Sequence, residues 1–216
     1  MEIKGFCLGA FRTNCYLVEN DGEAFLVDPG DQAEDVIAYL KKLGCDLKAI
    51  LITHGHIDHL GAAAAISEAL GAEIVFPEKE LDYLDNRTYP LMFETAGELQ
   101  EFKDYVMQSG KGRLIADGAE LSIAGAWIRA IEVPGHTDHS MVYHVPAEKV
   151  LFSGDTLFEA SVGRTDMYAG DPFDLVVNIK EKLLTLPKDT IVLPGHSGAT
   201  SIEREIRQNP YLREVL

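Results

Sequence analysis

Residues 53–59 read Thr-His-Gly-His-Ile-Asp-His, so three imidazoles and one carboxylate lie within a single short segment. His54 and His56 are two residues apart, and on extended backbone their side chains therefore point to the same side. The apolar residues 48–52 come directly before them and predict a buried strand. The aspartate and the third histidine follow where we expect that strand to give way to a helix. Core packing does not require such a density of polar ligands, and the motif predicts a site for two metal ions.

Three further ionisable residues each follow a glycine at the end of an apolar segment. They are His136 in Val-Pro-Gly-His-Thr, Asp155 in Phe-Ser-Gly-Asp-Thr and His196 in Leu-Pro-Gly-His-Ser. The ends of strands in layered sheets commonly carry functional side chains, and glycine permits the tight turns needed there. We therefore expect these three residues to join the first cluster. Imidazole suits Zn²⁺, a carboxylate can bridge two ions, and no cysteine is placed to act as a ligand.

Two other histidines have simpler interpretations. His144 lies within an apolar predicted strand, which favours a structural role. His139 is near the predicted site in sequence, and it either supports a ligand or lies on the surface; we favour the surface.

Strand and helix patterns alternate along both halves of the chain, which predicts a layered α/β fold and a single domain over residues 1–216. We predict strands over residues 3–10, 15–19, 24–27, 48–52, 72–76, 121–123, 127–133, 141–145, 150–152 and 190–193. We predict helices over residues 31–43, 60–70, 172–186 and 202–207. Residues 77–112 are acidic and helical in pattern, and they predict a helical insertion or lid between the two sheet halves.

The formal net charge is −16, which argues against nucleic acid or an anionic membrane as a partner. Residues 1–159 carry a net charge of −15 and residues 160–216 a net charge of −1. An anionic substrate is therefore expected to approach the C-terminal quarter, unless the acidity serves only solubility. The sequence has no signal-peptide pattern and no apolar stretch of roughly 20 residues, so we expect a cytoplasmic protein. The three cysteines are expected to be reduced and to lie in a core.

These motifs together resemble the metallo-β-lactamase superfamily, and the resemblance extends to residues 13–18 and 27–30. It implies a four-layer αββα sandwich with a dinuclear site at one edge, holding two Zn²⁺, with Fe or Mn as alternatives. The implied ligands of one ion are His54, His56 and His136, those of the other are Asp58, His59 and His196, and the implied bridging ligand is Asp155.

Within the superfamily, residues 154–158, 163–166 and 194–196 are similar to the small glyoxalase II-like hydrolases, which hydrolyse thioesters such as hydroxyacylglutathione. The resemblance implies a small-molecule thioester substrate, attacked at its carbonyl by a metal-bridging hydroxide with Asp58 and Asp155 in the catalytic set. Larger members carry a further C-terminal helical region that binds glutathione. Only about twenty residues follow His196 here, so we expect this chain to lack that region. Residues 77–112 are then expected to form a wall of the substrate pocket. The oligomeric state is left open.

Arg164 follows Asp155 closely in the near-neutral C-terminal part of the chain. One interpretation is that it orients an anionic group of the substrate. The other, equally weighted, is a structural ion pair with Asp166 or Asp171.

Two other functions remain open at this point. A persulfide dioxygenase-like protein shares the fold and a Gly-Arg-Thr-Asp segment but uses one iron, held by two histidines and an aspartate. A non-catalytic metal-binding protein on the same scaffold is the third hypothesis. A β-lactamase is disfavoured, because the bridging Asp155 is typical of the hydrolase branch.

Overall fold

The first half of the chain forms one mixed sheet in the computed structural model, which describes residues 1–85 and 96–213. Its strands, in spatial as well as chain order, are β1 (Glu2–Leu8), β2 (Thr13–Asn20), β3 (Glu23–Val27), β4 (Asp46–Leu51), β5 (Glu73–Pro77) and β6 (Gly112–Ile115). The first three strands pair antiparallel and β3 to β6 pair parallel. The helices between them are α1 (Ala33–Leu43), α2 (Ile57–Leu60), α3 (Ala63–Leu70), α4 (Glu80–Leu84) and α5 (Ala96–Gln108).

The second half forms another sheet with helices on its outer face. Its elements are β7 (Glu120–Ile123), β8 (Ala126–Glu132), β9 (Met141–Val145), β10 (Val150–Gly154), a small ribbon of β11 (Leu157–Phe158) and β12 (Ser161–Val162), α6 (Pro172–Asn178), β13 (Ile191–Pro194), β14 (Thr200–Ser201) and α7 (Ile202–Gln208). The spatial order is β14-β13-β10-β9-β8-β7, with β10 and β13 parallel. Since β8 and β10 are both antiparallel to β9, the strands β8, β10 and β13 end at the same edge.

Three apolar layers hold these elements together. Between the sheets, Phe25 of β3 packs in one cluster with Tyr143 and Phe152 of the second sheet. The outer face of the first sheet packs against α1, α3, α4 and α5, and that of the second sheet against α6 and α7. The result is the predicted αββα sandwich.

Local sequence explains where the helices begin and end. Helix α6 begins after Asp171, whose carboxylate accepts hydrogen bonds from the backbone N–H groups of Phe173 and Asp174. Pro172 occupies the first helical position, where its missing N–H has no cost. Helix α1 ends at Gly44, whose φ of 75° is easily adopted only by glycine.

The structure corrects the predicted position of the segment 77–112. Its helical character is confirmed by α4 and α5, and residues 86–95 lie outside the described residues. The segment does not lie between the two sheets, because the chain continues into β6, which pairs with β5 in the first sheet. It is therefore the crossover connection of a parallel strand pair.

Two smaller expectations also change. The single helix predicted over residues 60–70 is divided into α2 and α3, and the first of these begins at Ile57. Only Cys15 of the three free cysteines is buried, whereas Cys45 is partly buried and Cys7 is exposed. Across residues 1–85 and 96–213, the helices are too short or too polar to cross a bilayer.

Candidate metal centre

The segments that follow four strands, with the start of α2, converge at one edge of the sandwich. The connection after β4 carries His54 and His56, α2 carries Asp58 and His59, and single ligands after β8, β10 and β13 are His136, Asp155 and His196. The structure thus brings together all seven residues that the sequence singled out.

The seven side chains form overlapping groups of potential ligands. The groups are His54, His56 and His136; His54, His59 and Asp155; and Asp58, His59 and His196, and within each the ligand atoms lie no more than 4.8 Å apart. Asp155 belongs to the second of these groups and also lies near histidines of the other two: its Oδ1 is 3.4 Å from Nε2 of His59, and its Oδ2 is 3.8 Å from Nε2 of His136 and 3.5 Å from Nε2 of His196.

Glycine is needed where the chain passes closest to these ligands. A Cβ atom at Gly195 would lie 2.5 Å from both Asp155 Oδ1 and His59 Cε1. Gly154, before the aspartate, has a φ of +48°, and its Cβ would lie 2.5 Å from Oγ1 of Thr53. The predicted glycine turns therefore serve close approach as well as chain reversal.

Hydrogen bonds at Nδ1 fix the orientation of three of the histidine rings. Nδ1 of His136 lies 2.7 Å from the carbonyl oxygen of Arg164, and Nδ1 of His59 lies 2.9 Å from a carboxylate oxygen of Asp28. Both partners only accept, so each Nδ1–H donates and Nε2 of each ring is the nitrogen that faces the other ligands. The Thr53 hydroxyl donates to Asp28 and is 2.9 Å from Nδ1 of His54, so it accepts from that nitrogen.

The facing nitrogens make the cluster suitable for a cation. Nε2 of His54 lies 2.9 Å, and Nε2 of His136 3.1 Å, from Nδ1 of His56. A neutral His56 has one proton, so at least one of these facing nitrogens lacks a donor. Nε2 of His59 and Oδ1 of Asp155 likewise have no hydrogen-bond partner within the described ranges, although both are buried. The facing lone pairs around His56 are unfavourable unless a cation lies among them, and a metal ion can replace the proton of His59 beside Asp155, so the donor set fits metal ions.

The shifted pKa values divide the histidine ligands into two kinds, those with a lowered pKa and those with a raised pKa. Burial, reinforced by neighbouring imidazoles, lowers the pKa of His56 to about 3 and also lowers the pKa of His54 well below its usual value. Burial lowers the pKa of His136 as well. For His59 burial acts in the same direction, but the carboxylates led by Asp155 outweigh it and raise the pKa well above its usual value.

The carboxylates complement this cationic histidine. Burial alone would raise the pKa of Asp155, but the charge of His59 lowers it to about 2. The pKa of Asp58 is also low, because the charge of His59 and hydrogen bonds from His196 and Thr13 outweigh burial. Contact with Asp58 raises the pKa of His196. Asp58 and Asp155 therefore stay ionised and can attract divalent cations.

Several supporting residues were not assigned roles from the sequence. Asp28 is buried, accepts from the backbone N–H and hydroxyl of Thr53, and holds Nδ1 of His59. Thr13 donates to Oδ2 of Asp58 over 2.7 Å. Asn14 donates to the carbonyl oxygens of Pro194 and Ser197, on both sides of His196. Both strand β2 and the end of β3 thus fix the orientation of ligands.

The remaining predicted residues have clear positions. Arg164 forms a two-point ion pair with Asp166, at 2.7 and 2.9 Å, which is one of the two partners expected for a structural ion pair. Its carbonyl oxygen contacts the ligand residue His136. His139 is partly buried, and Nδ1 lies 3.0 Å from Glu132. His144 is buried in β9, away from the ligand groups.

Comparison with known sequences agrees with this geometry. The metallo-beta-lactamase superfamily profile matches residues 8–196. The chain is 33% identical over 212 residues to the probable metallo-hydrolase YqgX of Bacillus subtilis (strain 168), covering 98% of each protein. It is 34% identical over 213 residues to the hydroxyacylglutathione hydrolase GloC of Haemophilus influenzae, again covering 98% of each.

Solved structures show the same fold over nearly the whole chain. BLEG-1 B3 metallo-beta-lactamase superposes with a TM-score of 0.84 at 33% identity, covering 98% of this chain and 100% of that one. TTHA1623, solved in a di-iron-bound form, gives 0.78 at 32% identity, covering 97% and 100%. ETHE1 from Myxococcus xanthus gives 0.76 at 26% identity, covering 97% and 84%. The profile match and these full-length similarities show that the chain belongs to the metallo-beta-lactamase superfamily.

Proposed function

We propose that this protein is a dinuclear-metal hydrolase of thioesters, with a hydroxyacylglutathione-like substrate and Zn²⁺ as its metal. The observation that carries the proposal is the position of Asp155, whose two carboxylate oxygens face histidines of both ligand groups. The 34% identity to GloC over almost the full length supports the thioester class. Two divalent ions in such a site would supply a water that is acidic near neutral pH and polarise the substrate carbonyl.

Each proposed ligand group is held by this chain's own hydrogen bonds. The first consists of His54, His56 and His136, and two of these have Nε2 directed inward by bonds at Nδ1. The second consists of Asp58, His59 and His196, with Nε2 of His196 lying 3.3 Å from Oδ2 of Asp58. The bond from Thr13 to this same oxygen fixes the carboxylate, which keeps Asp58 a proposed ligand rather than a mobile base.

Space for a substrate lies beside this second group. A cavity of about 660 Å³ is lined in part by Asp58 and lies between the β1–β2 connection, α3 and α5. Its lining combines apolar side chains such as Phe11 and Phe102 with the carboxylates of Glu68 and Glu101. An acyl group is compatible with this lining, whereas the anionic end of a glutathione thioester would be repelled by the carboxylates. We therefore place the anionic end on the opposite, near-neutral side.

A thioesterase assay and metal analysis on the same preparation test the proposal. Protein loaded with Zn²⁺ is expected to bind two ions per chain and to hydrolyse lactoylglutathione, and chelator-treated protein is expected to lose this activity and regain it on reloading. Full occupancy without turnover of any ester or thioester would instead support a non-catalytic metal-binding protein.

The similarity to ETHE1 supports a second candidate, a mononuclear-iron persulfide dioxygenase-like enzyme. The segment Gly163–Asp166, which the sequence shares with that family, lies beside the site because the carbonyl oxygen of Arg164 binds His136. This candidate would require one iron per chain and oxygen consumption with a persulfide substrate. The presence of a full second ligand group makes the hydrolase the better-supported function.

Arg164→Ala tests whether this arginine contacts the anionic end of the substrate. We expect KM for lactoylglutathione to rise up to about fivefold, the range of an exposed ion pair. We expect kcat to be unchanged, because the backbone carbonyl that holds His136 is retained. An uncharged thioester serves as the control substrate. An equal KM for the wild type and the variant with both substrates would remove Arg164 from the substrate site.

A further inference from the structure

Helix α4 covers the chain segment that carries the first two histidines. A Cβ atom at Gly55, between His54 and His56, would lie 2.9 Å from the ring of Tyr83 and 3.1 Å from Oε2 of Glu80. Both contacting residues belong to α4 and are buried, Glu80 completely. A fully buried carboxylate is costly unless its oxygens are well bonded, so its partners indicate what it does.

The partners of Glu80 belong to two separate ligand loops. Its Oε2 accepts a hydrogen bond of 2.8 Å from the backbone N–H of Gly55. Its Oε1 accepts from the hydroxyl of Thr137 at 2.7 Å and from the backbone N–H of His139 at 3.1 Å. Gly55 follows β4 of the first sheet, whereas Thr137 directly follows the ligand His136 in the second. One side chain thus connects the loops of two sheets.

Tyr83, one helical turn after Glu80 in α4, contacts a histidine of the same ligand group. Its hydroxyl lies 2.8 Å from Nε2 of His56. The other nitrogen of this ring, Nδ1, is the one that faces His54 and His136. A ring that coordinates through Nδ1 keeps its proton on Nε2, so Tyr83 accepts that proton's hydrogen bond and fixes the ring plane.

We infer that Glu80 and Tyr83 are positioning residues that hold His54, His56 and His136 in one ligand group. Glu80 sets the separation of the two loops, and Tyr83 sets the ring orientation of the central histidine. The inference rests on the metal site of the proposed function but does not depend on its substrate.

Conservative substitutions separate these roles from simple packing. In Glu80→Gln the amide has the same size, but its NH₂ group must face a donor, either Gly55 N–H or the N–H of His139. Tyr83→Phe keeps the ring against Gly55 and removes the hydroxyl that accepts from His56. Glu78→Gln is the matched control, because Glu78 is exposed and lies two residues before Glu80.

The test is stepwise Zn²⁺ affinity, measured by competition with a chelator, together with the absorption bands of the Co²⁺-substituted protein. Loss of an outer-shell partner typically weakens binding by about 10- to 100-fold, and we expect this for one of the two ions in both variants. The second ion and the Glu78→Gln control are expected to match the wild type. The Co²⁺ bands are expected to shift in both variants, which a purely structural role would not cause.

The outcomes distinguish this inference from the proposed function. Wild-type affinities and Co²⁺ bands in both variants would overturn the inference alone. A wild-type protein that binds no divalent ion would overturn the metal site as well. If Glu80→Gln fails to fold, Tyr83→Phe decides: weaker binding of one ion with an unchanged melting temperature of the metal-free protein supports the inference, and unchanged binding overturns it.

Discussion

An Asp155→Asn variant is expected to lose about three orders of magnitude or more in kcat/KM for thioester hydrolysis, because metal-ion catalysis contributes several kcal/mol. The amide is nearly isosteric with the carboxylate, so the loss would not come from packing. It removes the negative charge that faces His59, His136 and His196 and puts NH₂ in place of one oxygen. We also expect fewer than two ions per chain, since this carboxylate is the proposed connection between the ligand groups.

The appropriate control is Asp138→Asn, the same chemical change at an exposed carboxylate near His136 in sequence. Its activity and metal content are expected to equal those of the wild type. Kinetics with lactoylglutathione and metal analysis on the same samples give both readouts. If Asp155→Asn kept two ions and more than about a tenth of the activity, Asp155 would not be the bridging ligand.

The ligands were predictable from sequence because each carries a local signal. His136, Asp155 and His196 follow a glycine at the end of an apolar segment, and the structure confirms a strand before each of them. Strand direction then brings the three residues together, since β8, β10 and β13 run in the same direction and end at one edge of the sheet. These ligands are recognised by their residue type, by the glycine before them and by the strand that precedes that glycine. A single sequence shows all three features, so it is enough to identify them.

The supporting residues were less predictable because their signals are long-range. Asp28 has a weak local signal, an acid directly after the apolar strand β3. Glu80 has none: in sequence it differs little from the exposed Glu78, and only the packing of α4 over Gly55 makes it a buried acceptor. Such partners are identified by three-dimensional contacts alone.

The predicted position of the helical segment 77–112 was wrong for a related reason. Strand β6 is short and lies at the edge of the first sheet, and only Ile115 in it is fully buried. Its charged residue Arg113 is exposed, so the segment lacks the apolar run by which a buried strand is recognised. Because β6 was not predicted, nothing in the sequence indicated that the chain returns to the first sheet after these helices.

The two proposed ligand groups are expected to differ sharply in the pH dependence of Zn²⁺ binding. His59 and His196 have raised pKa values, so protons compete with a metal ion for both rings more strongly than for ordinary histidines. His54, His56 and His136 have lowered pKa values and are already neutral there. Acid therefore competes with metal at the group containing Asp58 and has little effect on the three-histidine group.

For the Asp58 group we expect affinity to fall as the pH is lowered from about 8 to about 6, by up to about tenfold per pH unit for each displaced proton. For the three-histidine group we expect less than about a threefold change over the same range. Stepwise Zn²⁺ titrations at several pH values measure both slopes, and calorimetry in two buffers of different ionisation enthalpy counts the released protons. Equal slopes for the two ions would contradict this assignment, since the division follows directly from the carboxylates around His59 and the burial of His56.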